Sequence, residues 1–517
     1  MRFDPFLGRS DMAVQPIRGG PVGATTVDVF GHLAKQGAMI ERLSSDSRSC
    51  APGVAFFAYP GETADGRSYI GDAIRRGAAA VVWEADGFAW HPDWRLPNLG
   101  VSGLKGQAGA LAHAFYGRPS ESMWVCGVTG TNGKTSCTQW IAALMSAQSI
   151  QTGVIGTLGS GFPQALSAAG NTTPDALELH RVLAGMKRSG ARAVAMEVSS
   201  HGLAQGRVNG VAFDCGLFTN LSHDHLDYHG SMDAYAEAKA MLFDAPTLQF
   251  AVLNLDDFLG VQLARRLAAR QMRTIGYGLS PASLAPGGVT DYIVAREIAI
   301  DGEAMRVTLE SSWGEAELRI NQLGRFNVSN ALGVLGCLLA RGLDFERAAA
   351  LLDALPPVAG RMQRIGGAGK PLVVVDYAHS PDALEKALQA LRPVADTRGG
   401  ALVAVFGAGG DRDSAKRPLM GEVASRHADR LLLTSDNPRS EDPQAILAAI
   451  RAGVSAPHEL EPDRAAAIAR AIGEASAADV VLLAGKGHES YQEIAGRRLP
   501  FSDVAAAEAA LARWSAR

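Results

Sequence analysis

The stretch Gly127-Val128-Thr129-Gly130-Thr131-Asn132-Gly133-Lys134-Thr135-Ser136 decides the fold of this chain. It follows an apolar run, Met123 to Val128, that reads as a buried strand. It precedes a pattern that puts Trp140, Ile141, Leu144 and Met145 on one helical face. Strand, glycine-rich turn, Lys-Thr and helix together make a phosphate-binding arrangement. Glycines let backbone N–H groups close around an anion, and the helix N-terminus adds a favourable dipole. Lys134 can reach the terminal phosphates, and the Thr135 hydroxyl suits Mg²⁺. The commonest spacing has glycine where Val128 stands, while Gly130, Gly133, Lys134 and Thr135 are kept. Glycine-rich turns also occur without phosphate, but Lys-Thr in this context favours the anion.

The chain has 517 residues, too many for one core, so about three domains are expected. Hydrophobic content of 47% and charged content of 20% describe a soluble globular protein. A net charge of −4 argues against a general nucleic-acid or membrane-surface binder. An anionic substrate must then be held by local groups. No apolar run approaches the ~20 residues that cross a bilayer. Met1 to Gly20 lacks an apolar core and reads as a loose tail, not a secretory signal. The five cysteines, Cys50, Cys126, Cys137, Cys215 and Cys337, form no C-x-x-C pair. Reduced thiols in a cytoplasmic protein are expected, without a zinc site.

Beyond a tail at 1–20, the pattern divides into segments 21–118, 119–357 and 358–517. The first holds short strands such as Val54–Tyr59 and Ala79–Trp83 between glycine-rich turns. The second alternates strand and helix, with strands at Ala193–Glu197, Cys215–Thr219 and Phe250–Leu253. This predicts α/β architecture with a mainly parallel sheet. Ile293–Ile320 alternates apolar and polar residues and reads as an antiparallel excursion. Leu355-Pro356-Pro357 stops a helix. The third segment repeats the α/β pattern, with strands at Leu372–Val375, Leu402–Phe406, Arg430–Thr434 and Val480–Ala484. Asp503 to Arg517 reads as an amphipathic terminal helix.

Chemistry-bearing residues fall at strand ends, which face the ligand crevice in parallel sheets. Glu197 ends one strand and is placed to hold Mg²⁺, which prefers oxygen donors. His223, His225 and His229 follow another, in a spacing that is not a zinc motif. Lys239 falls in an apolar-periodic helix, and its residues alone read as a snorkelling surface lysine. Asp376-Tyr377-Ala378-His379, Gly407–Asp413, Ser435–Arg439 and Gly485–Glu489 follow four strands of the third segment. Four polar loops at successive strand ends favour a binding face.

These residues together resemble the Mur ligases of bacterial cell-wall synthesis. The motifs that carry the resemblance are Thr129–Ser136, Asn171-Thr172-Thr173-Pro174, Glu197–Gly202, Asp224–Gly230, Asn327-Val328-Ser329-Asn330-Ala331 and Asp436–Arg439. The resemblance runs from about Ser44 to Trp514. It implies an N-terminal UDP-binding domain, a central P-loop domain and a C-terminal Rossmann-like domain for the incoming amino acid. Ser45, Ser47, Thr63, Ala64 and Asp65 match the UDP-contacting segment. Asn171, Thr172, Thr173, Ser199, Gln205 and Arg207 match positions holding a UDP-muramoyl-dipeptide. Gly130 to Ser136, including Thr131 and Asn132, match the ATP phosphate site, Asn327 the adenine contact, and Arg361 and Asp376 positions near phosphate and ribose. The lysine matching Lys239 is carbamylated in the family. It then joins Thr135, Glu197 and His225 as an oxygen- and nitrogen-bearing metal set. Arg412, Asp436, Asn437, Pro438, Arg439, Gly485 and Glu489 match the amino-acid contacts.

The implied reaction is ATP-dependent addition of meso-diaminopimelate to the D-glutamate γ-carboxylate of UDP-N-acetylmuramoyl-L-alanyl-D-glutamate. It passes through an acyl phosphate and needs Lys134 and two Mg²⁺ ions. ATP and amino acid fall to different domains, so closure precedes chemistry. A cytoplasmic monomer is expected. A lysine-adding relative, the next ligase of that pathway and folylpolyglutamate synthetase are the rival enzymes. Arg439 argues against the first, and segment 44–67 argues against the folate enzyme. The remaining rival is a nucleotide-switched binding protein, against which Glu197, His225 and Lys239 argue.

Overall fold

The structure is a computed structural model that describes residues 28–168, 170–301 and 304–515. The tail expected at 1–20, the first residues of segment 21–118 and the last two of the terminal helix lie outside the described residues. The chain forms two compact units. One holds the residues up to Thr129 with Met145–Gly216 and Ala238–Phe250. The other holds Gly130–Leu144, Leu217–Glu237 and Ala251 onward.

The first unit opens with a parallel sheet of four strands in sequence order: β1 (Arg42–Ser44), β2 (Val54–Ala58), β3 (Ala80–Glu84) and β4 (Asn98–Val101). The run Val-Ala-Phe-Phe-Ala of β2 is wholly buried because both faces are covered. Ala55 and Phe57 pack with Leu33 and Leu104, while Val54, Phe56 and Ala58 pack with Ile70. Next come β5 (Trp124–Thr129), β6 (Thr152–Gly156), β7 (Gly159–Phe162), β8 (Ala165–Ser167) and β9 (Ala193–Glu197). β9 lies between β5 and β6, parallel to both, and β7 and β8 continue antiparallel. This topology brings the C-terminal end of β9, and so Glu197, beside Val128 near the end of β5.

β10 (Cys215–Phe218), β11 (Phe250–Asn254) and β12 (Arg273–Gly278) follow. The expected antiparallel excursion is a meander of β13 (Asp291–Asp301), β14 (Ala304–Ser311) and β15 (Gly314–Ile320), kinked by a bulge between Ala295 and Glu297. The helix Lys134–Ala147 buries Trp140, Ile141, Leu144 and Met145, as its periodicity predicts.

The second unit also holds a six-stranded sheet. Its strands are β16 (Gln363–Gly366), β17 (Leu372–Asp376), β18 (Leu402–Phe406), β19 (Arg430–Leu433), β20 (His458–Leu460) and β21 (Val480–Ala484). Their order is β16-β17-β21-β18-β19-β20, with β16 alone antiparallel. β21 enters between β17 and β18, so the loops after β17, β21, β18 and β19 emerge side by side. Such a switch in strand order opens a ligand crevice. A hairpin, β22 (Tyr491–Ile494) and β23 (Arg497–Pro500), follows. The terminal helix spans Asp503–Arg513 and stops at Trp514, whose backbone is extended. All five cysteines are buried and free of disulfides.

Candidate active site

In the second unit the glycine-rich turn is fixed by what it touches. A Cβ on Gly130 (φ +148) would stand 1.9 Å from Thr219 Oγ1, and one on Gly133 (φ +87) 2.4 Å from Asn330 Oδ1. Both positions therefore require glycine. Asn220 braces the turn: its carbonyl accepts from Thr131 N–H at 2.8 Å, and its Oδ1 accepts from Asn132 N–H at 3.0 Å. Lys134 Nζ donates to the carbonyls of Gly130 (2.8 Å) and Thr131 (2.9 Å).

Asn132, Gly133, Thr135, Ser136, Asn327, Arg361 and Asp376 line one cavity of about 90 Å³. Arg361 Nη2 donates to Thr135 Oγ1 at 2.9 Å, and its guanidinium lies 4.7 Å over the Tyr377 ring. Its Nε is buried with no hydrogen-bond partner among the described residues. Asp376 accepts Met362 N–H at 2.7 Å, and burial raises its pKa against the pull of Arg361. Asn327 Nδ2 donates to Leu323 O at 2.8 Å in the first turn of its helix. Phe326, Met362, Ala378 and Ala383 supply apolar wall, suited to the face of a base.

His225 takes a left-handed φ of +54 before the short helix Leu226–His229. Its Nε2 lies 3.5 Å from Asp224 Oδ2. Burial would raise the Asp224 pKa, but His225, His379 and Lys416 together bring it below the usual value. His379 is itself pushed down by burial and by Lys416.

The first unit holds Glu197, 1% exposed. Its Oε1 accepts Thr157 N–H at 2.8 Å and its Oε2 accepts Thr157 Oγ1 at 3.1 Å, so each oxygen keeps a lone pair. Thr157 also meets Thr172 at 3.1 Å. Thr173 Oγ1 donates to Glu197 O and Ser199 Oγ. Arg207 Nη1 donates to Thr173 O and its Nε to Gln205 Oε1, while Gln205 Nε2 donates to Glu62 at 2.7 Å. Thr172, Thr173, Ser199, Gln205 and Arg207 thus form one connected network, and Glu62 joins it to the loop carrying Thr63, Ala64 and Asp65. That loop is closed by Gly61 N–H to Ala64 O at 2.8 Å. Asp65 is held below the usual carboxylate range by Arg67. Ser47 donates to Asp72 at 3.2 Å, and Ser45 hydrogen-bonds Tyr59. Asn171 is exposed.

Lys239 is 1% exposed, which overturns the reading of a snorkelling surface lysine. Its helix and the following turn also bury Tyr235, Ala238, Ala240, Leu242 and Phe243.

Around the third group, again in the second unit, the loop after β19 is held from two sides. Gly410 N–H donates to Asn437 O, and Arg439 Nη1 donates to Gly410 O at 2.6 Å. The hairpin β22–β23 supports the same loop: Arg439 N–H donates to Glu493 O, Ala495 N–H to Arg439 O, and Gln492 Nε2 to Asp436 O. Arg439 itself sits at φ +52, a conformation that needs such support. Gly485 (φ +117) lets the β21 loop approach, since a Cβ there would stand 2.5 Å from Asp436 Oδ2. Asn437 Nδ2 donates to Glu489 Oε2 at 2.8 Å. Asp436, Asn437, Pro438, Arg439, Gly485 and Glu489 are thus brought together. Arg412 is exposed on the neighbouring loop, with its Cγ 3.7 Å from a Cβ placed on Gly409.

The floor of this group is a buried ion pair. Arg464 Nε and Nη2 bind Asp503 in a fork of two 2.7 Å bonds, both side chains at 0% exposure. Arg464 also donates to Ser435 O and Ala484 O, the carbonyls that start the two loops. Asp503→Asn leaves this guanidinium uncompensated and should cost about 3–5 kcal/mol. Urea unfolding would read it, and an unchanged midpoint would remove the pair from the account.

The nucleotide and amino-acid loops share a backing within this unit. Tyr377 stacks under Arg361 and meets His488 at 5.4 Å. Burial, then Arg361, holds His488 down at about 4. Glu62, Thr157, Asn220, Tyr377, Gln492 and Arg464 escaped the sequence reading. Tyr377 stands inside the strand-end stretch Asp376–His379, and Asn220 directly follows the strand Cys215–Thr219, so each has a signal in the sequence. The others act across long sequence separations with no motif.

Three family profiles match in order. Mur ligase family, catalytic domain, matches 39–116; Mur ligase middle domain matches 128–338; and Mur ligase, glutamate ligase domain, matches 360–487. A UDP-N-acetylmuramoyl-L-alanyl-D-glutamate–2,6-diaminopimelate ligase of Ectopseudomonas mendocina is 52% identical over 93% of this chain and 97% of its own length. The ligase of the same name from Pseudomonas aeruginosa is 50% identical over 93% and 97%. A solved structure with that name aligns with a TM-score of 0.65 at 35% identity, covering 92% of this chain and 95% of that one.

Proposed function

The chain belongs to the Mur ligase family, and we propose that it joins meso-diaminopimelate to the D-glutamate γ-carboxylate of UDP-N-acetylmuramoyl-L-alanyl-D-glutamate at the expense of ATP. The observation that carries this reading is the convergence of Asp436, Asn437, Arg439, Gly485 and Glu489 in the unit that also holds the phosphate loop. Segments 21–118, 119–357 and 358–517 serve UDP, ATP and the amino acid respectively. The protein acts as a cytoplasmic monomer. No helix among the described residues is long and apolar enough to cross a membrane.

The substrate carboxylate attacks the γ-phosphorus of ATP, ADP leaves, and an acyl phosphate forms. The amine of diaminopimelate then attacks the acyl carbon, and phosphate departs with the bonding electrons. No covalent bond to the enzyme is needed, so the side chains position and neutralise. Lys134 turns from the Gly130 and Thr131 carbonyls to the phosphates, and Arg361 turns from Thr135. Asp376 accepts from the ribose. The threonines, Ser199, Gln205 and Arg207 of the first unit hold the anionic UDP substrate. Thr135, Glu197, His225 and a carbamylated Lys239 would hold Mg²⁺. The spare lone pairs of Glu197 fit a hard cation. When bound, Mg²⁺ neutralises charge on the transferring phosphoryl group.

Phosphate release that requires both the UDP-muramoyl-dipeptide and diaminopimelate tests the reading. Release with lysine alone, or with neither amino acid, defeats it. The choice of amino acid is assigned to Arg439. Diaminopimelate exceeds lysine by one carboxylate at its far end, and a guanidinium can bind that group through two parallel hydrogen bonds. Arg439→Ala should lower kcat/KM for diaminopimelate by roughly 10–100-fold, the weight of hydrogen bonds to a charged group. The residual rate with lysine should stay the same. A preserved diaminopimelate preference would take the role from Arg439.

A further inference from the structure

We infer that Lys486 is the positioning residue of the amino-acid site, fixing Asn437 and Glu489 so that one Glu489 oxygen is presented to the ammonium at the far end of the diamino acid. The inference rests on the proposed amino-acid site and names the group that shapes it.

Lys486 stands in Gly485-Lys486-Gly487-His488-Glu489, directly after β21, and is 0% exposed. A lysine so deep is rare unless its charge is met. Here Nζ donates to Glu489 Oε2 at 2.9 Å and to Asn437 Oδ1 at 3.0 Å, with Asp436 Oδ1 at 3.9 Å. The Tyr491 ring lies 5.6 Å from the ammonium. The cation therefore sits among three side chains already placed in the amino-acid group.

Its effect on Asn437 is orientational. Asn437 Oδ1 accepts from Lys486 Nζ and from Glu493 N–H at 2.9 Å, filling both its lone pairs. A flipped amide would turn its NH₂ toward an ammonium and a backbone N–H. Lys486 thus forces Nδ2 toward Glu489, where it donates to Oε2 at 2.8 Å. Both donors, Asn437 Nδ2 and Lys486 Nζ, fall on the same carboxylate oxygen. Among the described residues no hydrogen bond falls on Glu489 Oε1, and the Glu489 side chain is 17% exposed. One oxygen is anchored and the other is offered. An offered carboxylate oxygen selects an ammonium, so the site discriminates diaminopimelate from 2-aminoheptanedioate, which has the far carboxylate but no far amine.

Lys486→Met, assayed by phosphate release in the full-length enzyme, tests this. The expected result is a rise in KM for diaminopimelate of roughly 10–100-fold. KM for ATP and for the UDP-muramoyl-dipeptide should stay within about twofold, a split that general loss of structure does not give. The preference for diaminopimelate over 2-aminoheptanedioate should collapse. In a double-mutant cycle with Glu489→Gln, the combined loss should be no larger than the greater single loss, because Lys486 acts through Glu489. Additive losses, an unchanged KM for diaminopimelate, or equal changes in all three KM values would overturn the inference. Should the Met variant not fold, Lys486→Gln keeps one shorter donor and is read by the same preference ratio. A wild-type enzyme that ignores diaminopimelate would defeat the proposed function instead; a wild type that uses it beside an unaffected variant defeats only the role of Lys486.

Discussion

Lys134→Ala is expected to abolish ADP formation while leaving binding of the UDP-muramoyl-dipeptide in place. In this structure the ammonium is held by the carbonyls of Gly130 and Thr131 at 2.8 and 2.9 Å. Those carbonyls keep the cation on its own loop, from which it can pass to phosphate oxygens. Bonds to an anion are about twice as strong as bonds to a neutral carbonyl, so the exchange is favourable. Charge on the transferring phosphoryl group is spread over its outer oxygens, and a fixed cation there acts mainly in the transition state. Losing one preorganised donor at such a site costs about 10²–10³ in rate, and loss of a full charge should cost at least that. Lys134→Arg should not restore activity, because Lys and Arg differ in shape and donor geometry. The UDP substrate is assigned to Thr172, Thr173, Ser199, Gln205 and Arg207, which belong to a hydrogen-bonded network of the first unit. Its dissociation constant, measured by calorimetry, should move little. Turnover within tenfold of wild type would remove Lys134 from the chemistry.

The parts of this molecule that could be read from sequence are those with a local physical cause. The β9, β18 and β21 strands were read to the residue, because both faces of a covered parallel sheet demand unbroken apolar runs. The glycines of the phosphate turn were legible because backbone and side chains crowd them within 3 Å. The hairpin β22–β23 was not, since Tyr-Gln-Glu-Ile and Arg-Arg-Leu-Pro carry too little apolar periodicity. Yet it is this hairpin that holds Arg439 at its left-handed backbone angle. β6 escaped because Thr-Gly-Val-Ile-Gly holds two glycines, which disfavour a strand until its neighbours bury it. Arg464 and Asp503 were invisible for another reason. They lie 39 residues apart, each at the start of an ordinary helix, and only the tertiary fold makes them a fork beneath two loops. Lys486 lay within a quoted stretch but carries no sign of burial in its own residue type. Sequence gives the groups that face the substrates; the groups that hold them in place come from contacts made across the chain.

Lys239→Ala should leave the enzyme nearly inactive although no substrate is assigned to that side chain. Lys239 is 1% exposed, and the family resemblance implies that its amine is carbamylated. Addition of carbon dioxide to the free amine, with loss of one proton, forms a carbamate and turns the side chain from a cation into an anion with two oxygen acceptors. Tyr235, Ala238, Ala240 and Phe243, on the same helix and the turn after it, are buried as well. A rigid oxygen donor is what a hard divalent cation selects. Alanine removes both oxygens and leaves a void of about the size of the lost chain. Small carboxylates such as formate or acetate could enter that void and supply an oxygen pair, so partial return of activity at tens of millimolar carboxylate is the expected signature. Chloride at the same ionic strength should not restore it. Native mass measured in bicarbonate buffer should show the added carbamate on wild type and not on the alanine variant, with the ADP-forming rate falling as bicarbonate is withdrawn. Full activity of a wild-type preparation whose Lys239 amine is unmodified would overturn the carbamate. An active Lys239→Ala enzyme would remove the residue from the site altogether.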